Sequence, residues 1–261
     1  MMMREVMTTS RPDEGPSIPG RTIRIVFWSW MLIGLAMMIF YRVPEGLSFS
    51  NGLFLVFFGL YTFSLLLQAE QAQAAIKPWR LALLAAIVGS VTMFAEWLGT
   101  KTGFPFGHYV YTDVLRLGPW EVPIPIGFAW VGVVGSALLI SRARTKAGRA
   151  LEVGLYALWF DLILDPVAYS REFWIWLDQG SWGAYYGIPT QNFISWFVLA
   201  ALLSMMFPMR QVRGRLHRES HRLYAGMCLM FGLLGFKEGL WGPVAMAVAA
   251  AIAMEWRARR D

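Results

Sequence analysis

The sequence predicts an all-α polytopic membrane protein with about eight transmembrane helices. Of its 261 residues, 57% are hydrophobic and only 15% are charged, and the mean hydropathy is +0.48. Soluble domains average about half apolar and a quarter charged residues. The chain also contains a series of apolar runs close to the ~20 residues that a helix needs to cross a bilayer core. These two observations place most of the chain in a membrane.

The apolar runs predict eight spans, which cover residues 22–40, 52–67, 80–98, 123–140, 150–169, 190–208, 223–237 and 240–256. The last two runs together form an apolar stretch of roughly 34 residues, about 51 Å of helix, which exceeds the ~30 Å hydrocarbon core. We expect a turn at Lys237, Glu238 and Gly239, near the middle of this stretch, and therefore two spans rather than one.

The segment before the first span has a different composition. Residues 1–20 contain Pro12, Pro16 and Pro19 and show no apolar periodicity, which predicts a disordered cytoplasmic tail. Residues 21–261 contain neither a Gly/Ser-rich linker nor an internal repeat. We therefore expect a single membrane-embedded helical domain over 21–261.

The distribution of basic residues predicts the orientation. With eight spans and both termini in the cytoplasm, 18 of the 23 Lys and Arg residues fall in inner segments and 5 in outer segments. Cytoplasmic loops of membrane proteins carry such an excess of Lys and Arg. The sequence therefore predicts a multi-pass protein of the cell membrane with its N- and C-termini inside.

Two predicted outer loops have an unusual composition. Residues 99–122 and 170–189 are rich in Gly, Pro and aromatic residues. Aromatic residues concentrate at the boundary between lipid and water. We expect both loops to be structured caps at the interface.

Several functional classes are disfavoured. The net charge of +6 is spread between apolar runs, which argues against nucleic-acid binding. The single cysteine, Cys228, lies in an apolar run and is expected to be a small buried hydrophobe. His217 and His221 fall in a basic cytoplasmic loop, where we expect them to be solvated, so His108 alone cannot form a His-rich metal site. Phosphate-loop, GxSxG and HExxH motifs are absent from the sequence. We expect no metal or other cofactor.

Ionisable residues within predicted spans are the main functional candidates, because they are costly in lipid. Glu96 lies near the outer end of the third span, whereas Asp161 and Asp165 lie one turn apart on one face of the fifth. At ~1.5 Å per residue, Asp161 is about 16 Å and Asp165 about 22 Å from Ala150, where this span begins. Asn192 opens the sixth span. The polar groups therefore converge on the outer half of the membrane, beneath the two loops.

Each carboxylate also has a purely structural interpretation, which the sequence leaves open. Glu96 could reach interfacial water. Asp165 could satisfy backbone donors around Pro166. Asp161 could make a buried hydrogen bond to a neighbouring helix.

Four blocks of sequence resemble those of a known family. They are Glu96–Thr112 (EWLGTKTGFPFGHYVYT), Val122–Pro125 (VPIP) with Trp130, Asp161–Pro166 (DLILDP), and Tyr185–Pro189 (YYGIP) followed by Asn192 and Trp196. Together they resemble the integral-membrane carotenoid 1',2'-hydratases, which include the bisanhydrobacterioruberin hydratases of archaea. The resemblance covers roughly residues 90–200, and its first block is the most specific.

The resemblance implies a cofactor-independent hydro-lyase. Such an enzyme adds water to the terminal 1,2 double bond of an acyclic, lycopene- or γ-carotene-like end group and produces a tertiary hydroxyl. The expected partners are a carotenoid substrate within the bilayer, membrane lipid and other enzymes of the carotenoid pathway.

Hydration of an isolated alkene requires an acid, a base for the attacking water and stabilisation of a carbocation. As the deepest carboxylate, Asp161 is the expected proton donor, Asp165 is expected to orient or deprotonate water, and Glu96 completes the polar wall. The expected substrate-binding residues are Asn192, His108, Tyr109, Tyr111, Trp130, Trp159 and Tyr186. An end-group cyclase or isomerase would use the same acid, and a proton-coupled transporter would also use membrane carboxylates, so both alternatives stay open.

The predicted orientation can be tested with single cysteines introduced into residues 99–122 or 210–222 of a Cys228→Ala background. An impermeant thiol reagent should label the 99–122 site in intact cells and the 210–222 site only after permeabilisation. Labelling of the 210–222 site in intact cells would contradict the orientation.

Overall fold

The computed structural model describes residues 18–41, 45–47, 49–73, 76–115, 120–178 and 183–260. Within these ranges it contains eight α-helices: α1 (Ile18–Phe40), α2 (Phe49–Gln73), α3 (Pro78–Thr102), α4 (Pro125–Ile140), α5 (Lys146–Ser170), α6 (Thr190–Ser204), α7 (Gly214–Lys237) and α8 (Trp241–Ala258). The prediction of an all-α fold is confirmed.

Each predicted span coincides with one helix, although most boundaries differ by between one and nine residues. Helix α1 begins at Ile18, inside the predicted tail, and residues 1–17 of that tail lie outside the described residues. Helix α7 begins at Gly214 rather than at 223. The expected break after Lys237 is present, because Gly239 adopts a φ of +74° between α7 and α8. The turn needs this left-handed conformation, which glycine adopts without steric cost.

Three of the helices are long and apolar enough to cross a membrane by themselves: Gly20–Phe40, Phe49–Gln73 and Pro78–Thr102. Helices α4 and α6 are apolar but shorter. The number of crossings and the side on which each loop lies therefore stay predictions.

Helix α4 is at the centre of the bundle and packs against α2, α3, α5, α6 and α7, whereas the main neighbours of α1 are α2 and α7. Glycine allows the closest approach between α2 and α4. A Cβ at Gly132 would lie 2.4 Å from the ring of Phe58, which is itself buried. Small residues at helix contacts are typical of membrane bundles, where close packing replaces the hydrophobic driving force.

Short strands connect the two aromatic-rich loops. Strand β1 (Tyr109–Tyr111) pairs antiparallel with β2 (Trp174–Trp176), and Tyr109 lies opposite Trp176. Strands β3 (Ala184–Tyr185) and β4 (Ile188–Pro189) form a second pair. Two 3₁₀ turns, Glu45–Leu47 and Asp113–Leu115, complete the regular structure of the described residues. The described parts of both loops are thus structured, as expected, and they cover one end of the bundle.

Charged side chains hold the opposite end together. Glu70 at the end of α2 forms a buried ion pair with Arg210. The guanidinium group of Arg149 donates hydrogen bonds to the carbonyls of Ser204, Phe207 and Pro208, which satisfies the end of α6.

The expectation that His217 and His221 are solvated is wrong. Both side chains are buried, because α7 continues past them and α8 packs alongside. The Nε2 atom of His217 lies 3.2 Å from the carbonyl oxygen of Arg257 on α8.

The contact at Gly132 predicts a difference between two chemically identical substitutions. Gly132→Ala should lower the free energy of unfolding by about 1–3 kcal/mol, because the buried ring of Phe58 has to move. Gly34→Ala is the matched control, because a Cβ there would have no heavy atom within 4 Å. Unfolding in mixed detergent micelles measures both, and equal stability of the two variants would contradict the packing.

Candidate active site

A cavity of about 400 Å³ lies under the two loops, at the end of the bundle where odd-numbered helices finish and even-numbered helices begin. This volume is within the range of about 300–1,000 Å³ that is usual for ligand pockets. Most of its wall is aromatic or aliphatic. Its polar side chains are Ser50, Asn51, Glu96, Tyr109, Tyr111, Asp165 and Asn192, together with several tryptophans.

Glu96 is the most extensively hydrogen-bonded of these groups. Its Oε1 accepts a hydrogen bond from Trp130 Nε1 of α4 at 2.8 Å. Its Oε2 accepts hydrogen bonds from the hydroxyl of Tyr111 at 2.9 Å and from that of Tyr109. The two tyrosines are two residues apart on β1, so their side chains point to the same face of the ribbon. Glu96 is only 5% exposed, so its partners are protein donors rather than interfacial water.

Three donors on one carboxyl group favour its ionised form, because a carboxylate is a stronger acceptor than a carboxylic acid. The two tyrosine donors are also expected to remain protonated. Burial, followed by the nearby negative charge of Glu96, raises the pKa of the Tyr109 and Tyr111 hydroxyls well above its usual value. Both hydroxyls therefore keep their protons at neutral pH.

Asp161 and Asp165 have a different environment. Both lie on one face of α5, as predicted, and both accept a hydrogen bond from Nδ2 of Asn192, at 2.8 and 2.6 Å respectively. The Oδ1 atom of Asp161 has no hydrogen-bond partner among the described residues. The Oδ2 atom of Asp165 accepts from a side-chain amide, so this contact is not a bond to the backbone around Pro166.

No Lys, Arg or His is present among the described residues that line the cavity. Two buried carboxyl groups that share one amide donor, without a cation, cannot both carry a negative charge at low cost. This arrangement favours a proton on the Asp161–Asp165 pair, in contrast to Glu96.

The structure brings six of the predicted site residues to the cavity: Glu96, Asp165, Asn192, Tyr109, Tyr111 and Trp130. Asp161 is not among the lining residues. It is fully buried behind the wall and reaches the site through Asn192.

Three predicted substrate-binding residues, His108, Trp159 and Tyr186, are not among the residues that line the cavity. His108 is exposed beyond the β1–β2 ribbon. Trp159 is 39% exposed, and its Nε1 donates to the carbonyl of Met246 on α8. Tyr186 is 42% exposed, and its hydroxyl accepts a hydrogen bond from the backbone N–H of Gly242. These three residues are near the carboxylates in the sequence or in the predicted topology, but their side chains do not line the cavity.

A second set of aromatic residues lines the cavity without having been predicted as site residues, although Trp196 belongs to one of the family-like sequence blocks. Trp196 stacks on Trp130 with ring centroids 4.1 Å apart, and Trp174 and Trp176 of β2 also line the cavity. Trp196 is one helical turn after Asn192, and this spacing could have identified it. Helix α1 contributes a further wall that no motif indicated.

These features define a helical membrane protein with buried carboxyl groups beside an apolar chamber. The chain belongs to the carotenoid biosynthesis protein family, which it matches over residues 50–254.

The chain is also similar to the bisanhydrobacterioruberin hydratase of Haloarcula japonica. The two are 26% identical over 235 residues, which cover 84% of this chain and 76% of the relative. No solved structure matches the chain.

The raised pKa of the two tyrosines predicts the alkaline behaviour of the site. Below pH ~10, the ordinary tyrosine pKa, both hydroxyls are protonated whether the chain is folded or unfolded. Above that pH an unfolded chain ionises them while the folded chain does not, so their contribution to stability declines as the pH rises. The wild type should therefore lose more stability above pH ~10 than a Tyr109→Phe/Tyr111→Phe variant. Detergent unfolding at a series of pH values measures this, and parallel losses would contradict the assignment.

Proposed function

We propose that this protein is a carotenoid hydratase of the cell membrane. It adds water to the terminal 1,2 double bond of an acyclic, lycopene- or γ-carotene-like end group, without a cofactor, to give a tertiary hydroxyl. The main support is the cavity, whose largely apolar wall contains Asp165, one member of a carboxyl pair with a shared donor, and Glu96, a carboxyl group with three protein donors. The family match and the name of the relative agree with this function.

The first step is protonation of the alkene. Asp165 is the member of the pair that lines the cavity, so we assign it the role of acid in place of Asp161. Its proton bonds to C2 through the π electrons, and the positive charge remains on the tertiary carbon C1. Asp161 is then a positioning residue, because it shares Asn192 with Asp165 and its proximity disfavours a second negative charge.

The second step is capture of the cation by water. The stacked rings of Trp130 and Trp196 offer π faces that stabilise positive charge. A water oxygen bonds to C1, and Glu96 accepts the released proton. Transfer of that proton back to Asp165 restores the starting state, so the net reaction is alkene plus water to alcohol.

The decisive experiment uses the purified protein in lipid, with chelator and without oxygen, and an acyclic carotenoid in isotopically labelled water. A product heavier by one labelled water supports hydration. A product of unchanged mass indicates a cyclase or isomerase, and unchanged pigment favours transport. Label taken from dioxygen in an aerobic repeat would indicate an oxygenase.

The assignment of the acid predicts an order among conservative variants. Asp165→Asn removes the proton that faces the cavity and should lower turnover by about 10²–10⁴-fold, the usual contribution of general acid catalysis. Asp161→Asn should be impaired less, because Asn192 and Asp165 remain. Both variants keep side-chain size, and detergent unfolding provides the control for folding. If Asp161→Asn is the more impaired variant, the acid is Asp161 and it reaches the substrate by a movement of Asn192.

A further inference from the structure

Among the residues that the structure describes, the exposed part of the cavity wall lies where α1 faces the start of α2. Among the described lining residues, three are exposed: Ile33 of α1 (65%), Leu47 of the first 3₁₀ turn (46%) and Phe49 at the start of α2 (41%). The remaining lining residues are buried or half-buried. We call the gap bounded by these three residues the side opening.

Helix α1 borders this opening, and hydrogen bonds to other helices position it before and after the segment that lines the cavity. The Nζ atom of Lys237 donates to the carbonyls of Met38 and Ile39, at 2.9 and 2.7 Å, at the end of α1. The residues of α1 that line the cavity lie between Trp30 and Met38. At the start of this segment, Trp30 Nε1 donates a hydrogen bond to the carbonyl of Ser50 on α2 at 3.2 Å. These contacts fix α1 beside the cavity, in addition to its packing against α2 and α7.

Gly34 lies between these two anchors. It lines the cavity one turn after Trp30 and one turn before Met38, so all three share a helix face. A Cβ at this position would meet no heavy atom within 4 Å. The helix therefore presents open space where a side chain would otherwise project into the cavity.

The chemistry of the opening restricts what passes through it. None of the described lining residues of α1, of the 3₁₀ turn or of α2 carries a charge. The loop side of the cavity, in contrast, is covered by the β1–β2 ribbon, where the rings of Tyr109 and Trp176 pack with their centroids 4.9 Å apart. A long apolar chain can remain in lipid along α1 while its end group reaches Asp165 and Glu96.

We infer that the side opening between α1 and α2 is the entrance for the substrate, and that Gly34 keeps it wide enough for the polyene chain. The inference rests on the proposed function and adds the route and the residue that selects for chain length. A substrate with a long acyclic chain occupies the opening during reaction, whereas a short isoprenoid with the same end group fits within the cavity.

Gly34→Phe tests the inference, because a Cβ at this position has no heavy atom within 4 Å and the added ring would occupy space beside the opening. Ala36→Phe is the matched control, since Ala36 is exposed on the same helix and does not line the cavity. Turnover is measured on a full-length acyclic carotenoid and on a short acyclic isoprenoid with the same terminal alkene. Gly34→Phe should reduce the long-to-short turnover ratio by about tenfold or more, the scale of steric discrimination in apolar pockets. Ala36→Phe should leave this ratio unchanged.

Equal losses on both substrates, or equal ratios in the two variants, would overturn the inference. A second readout is independent of hydration: the pigment retained by each protein after purification from a carotenoid-producing host. Wild type and Ala36→Phe should retain polyene and Gly34→Phe should not. If the wild type binds polyene but hydrates nothing, the proposed function fails while the entrance stands. If all three proteins retain equal pigment, the entrance fails.

Discussion

The structure depends on the requirement that a carboxylate buried among apolar helices has its hydrogen bonds satisfied by protein. Glu96 meets this requirement with donors from two separate parts of the chain. Trp130 reaches it only if α4 lies against α3, and the two tyrosines reach it only if β1 covers this end of the bundle. The pairing of β1 with β2 joins the two loops that cap the site. One buried charge therefore links the position of the central helix to the register of the ribbon, because an error in either would leave it without donors.

The same reasoning separates the roles of the carboxyl groups. Glu96 has three protein donors, whereas Asp161 and Asp165 share a single amide. Environments that favour opposite protonation states are the usual means by which one site holds both an acid and a base at neutral pH. Asn192 has a central part in this division, because its amide donates both to Asp165 on the cavity wall and to Asp161 behind it.

The sequence was informative where the length of apolar runs, the helical spacing of residues or the cost of ionisable side chains in lipid determines the structure. Apolar runs located all eight helices, Gly239 marked the last turn, and the spacing of Asp161 and Asp165 placed them on one face. It was uninformative where contacts depend on packing between distant segments. Depth along α5 made Asp161 the expected acid, but contact with the cavity depends on how the neighbouring helices pack, and Asp165 rather than Asp161 is among the lining residues. The wall formed by α1 carries no polar residue that could have singled it out before the helices were assembled.

The position of Glu96 also bears on why such a site would hydrate rather than isomerise its substrate. A tertiary cation at C1 can lose a neighbouring proton and return to an alkene, or it can capture water. Both Glu96 oxygens already accept hydrogen bonds, which weakens the carboxylate as a base toward a C–H bond. A water that has begun to bond to C1 is far more acidic than a C–H group and can still give up its proton to such a carboxylate. In the proposed mechanism, the donors that make Glu96 stable in the membrane therefore also favour addition of water over loss of a proton.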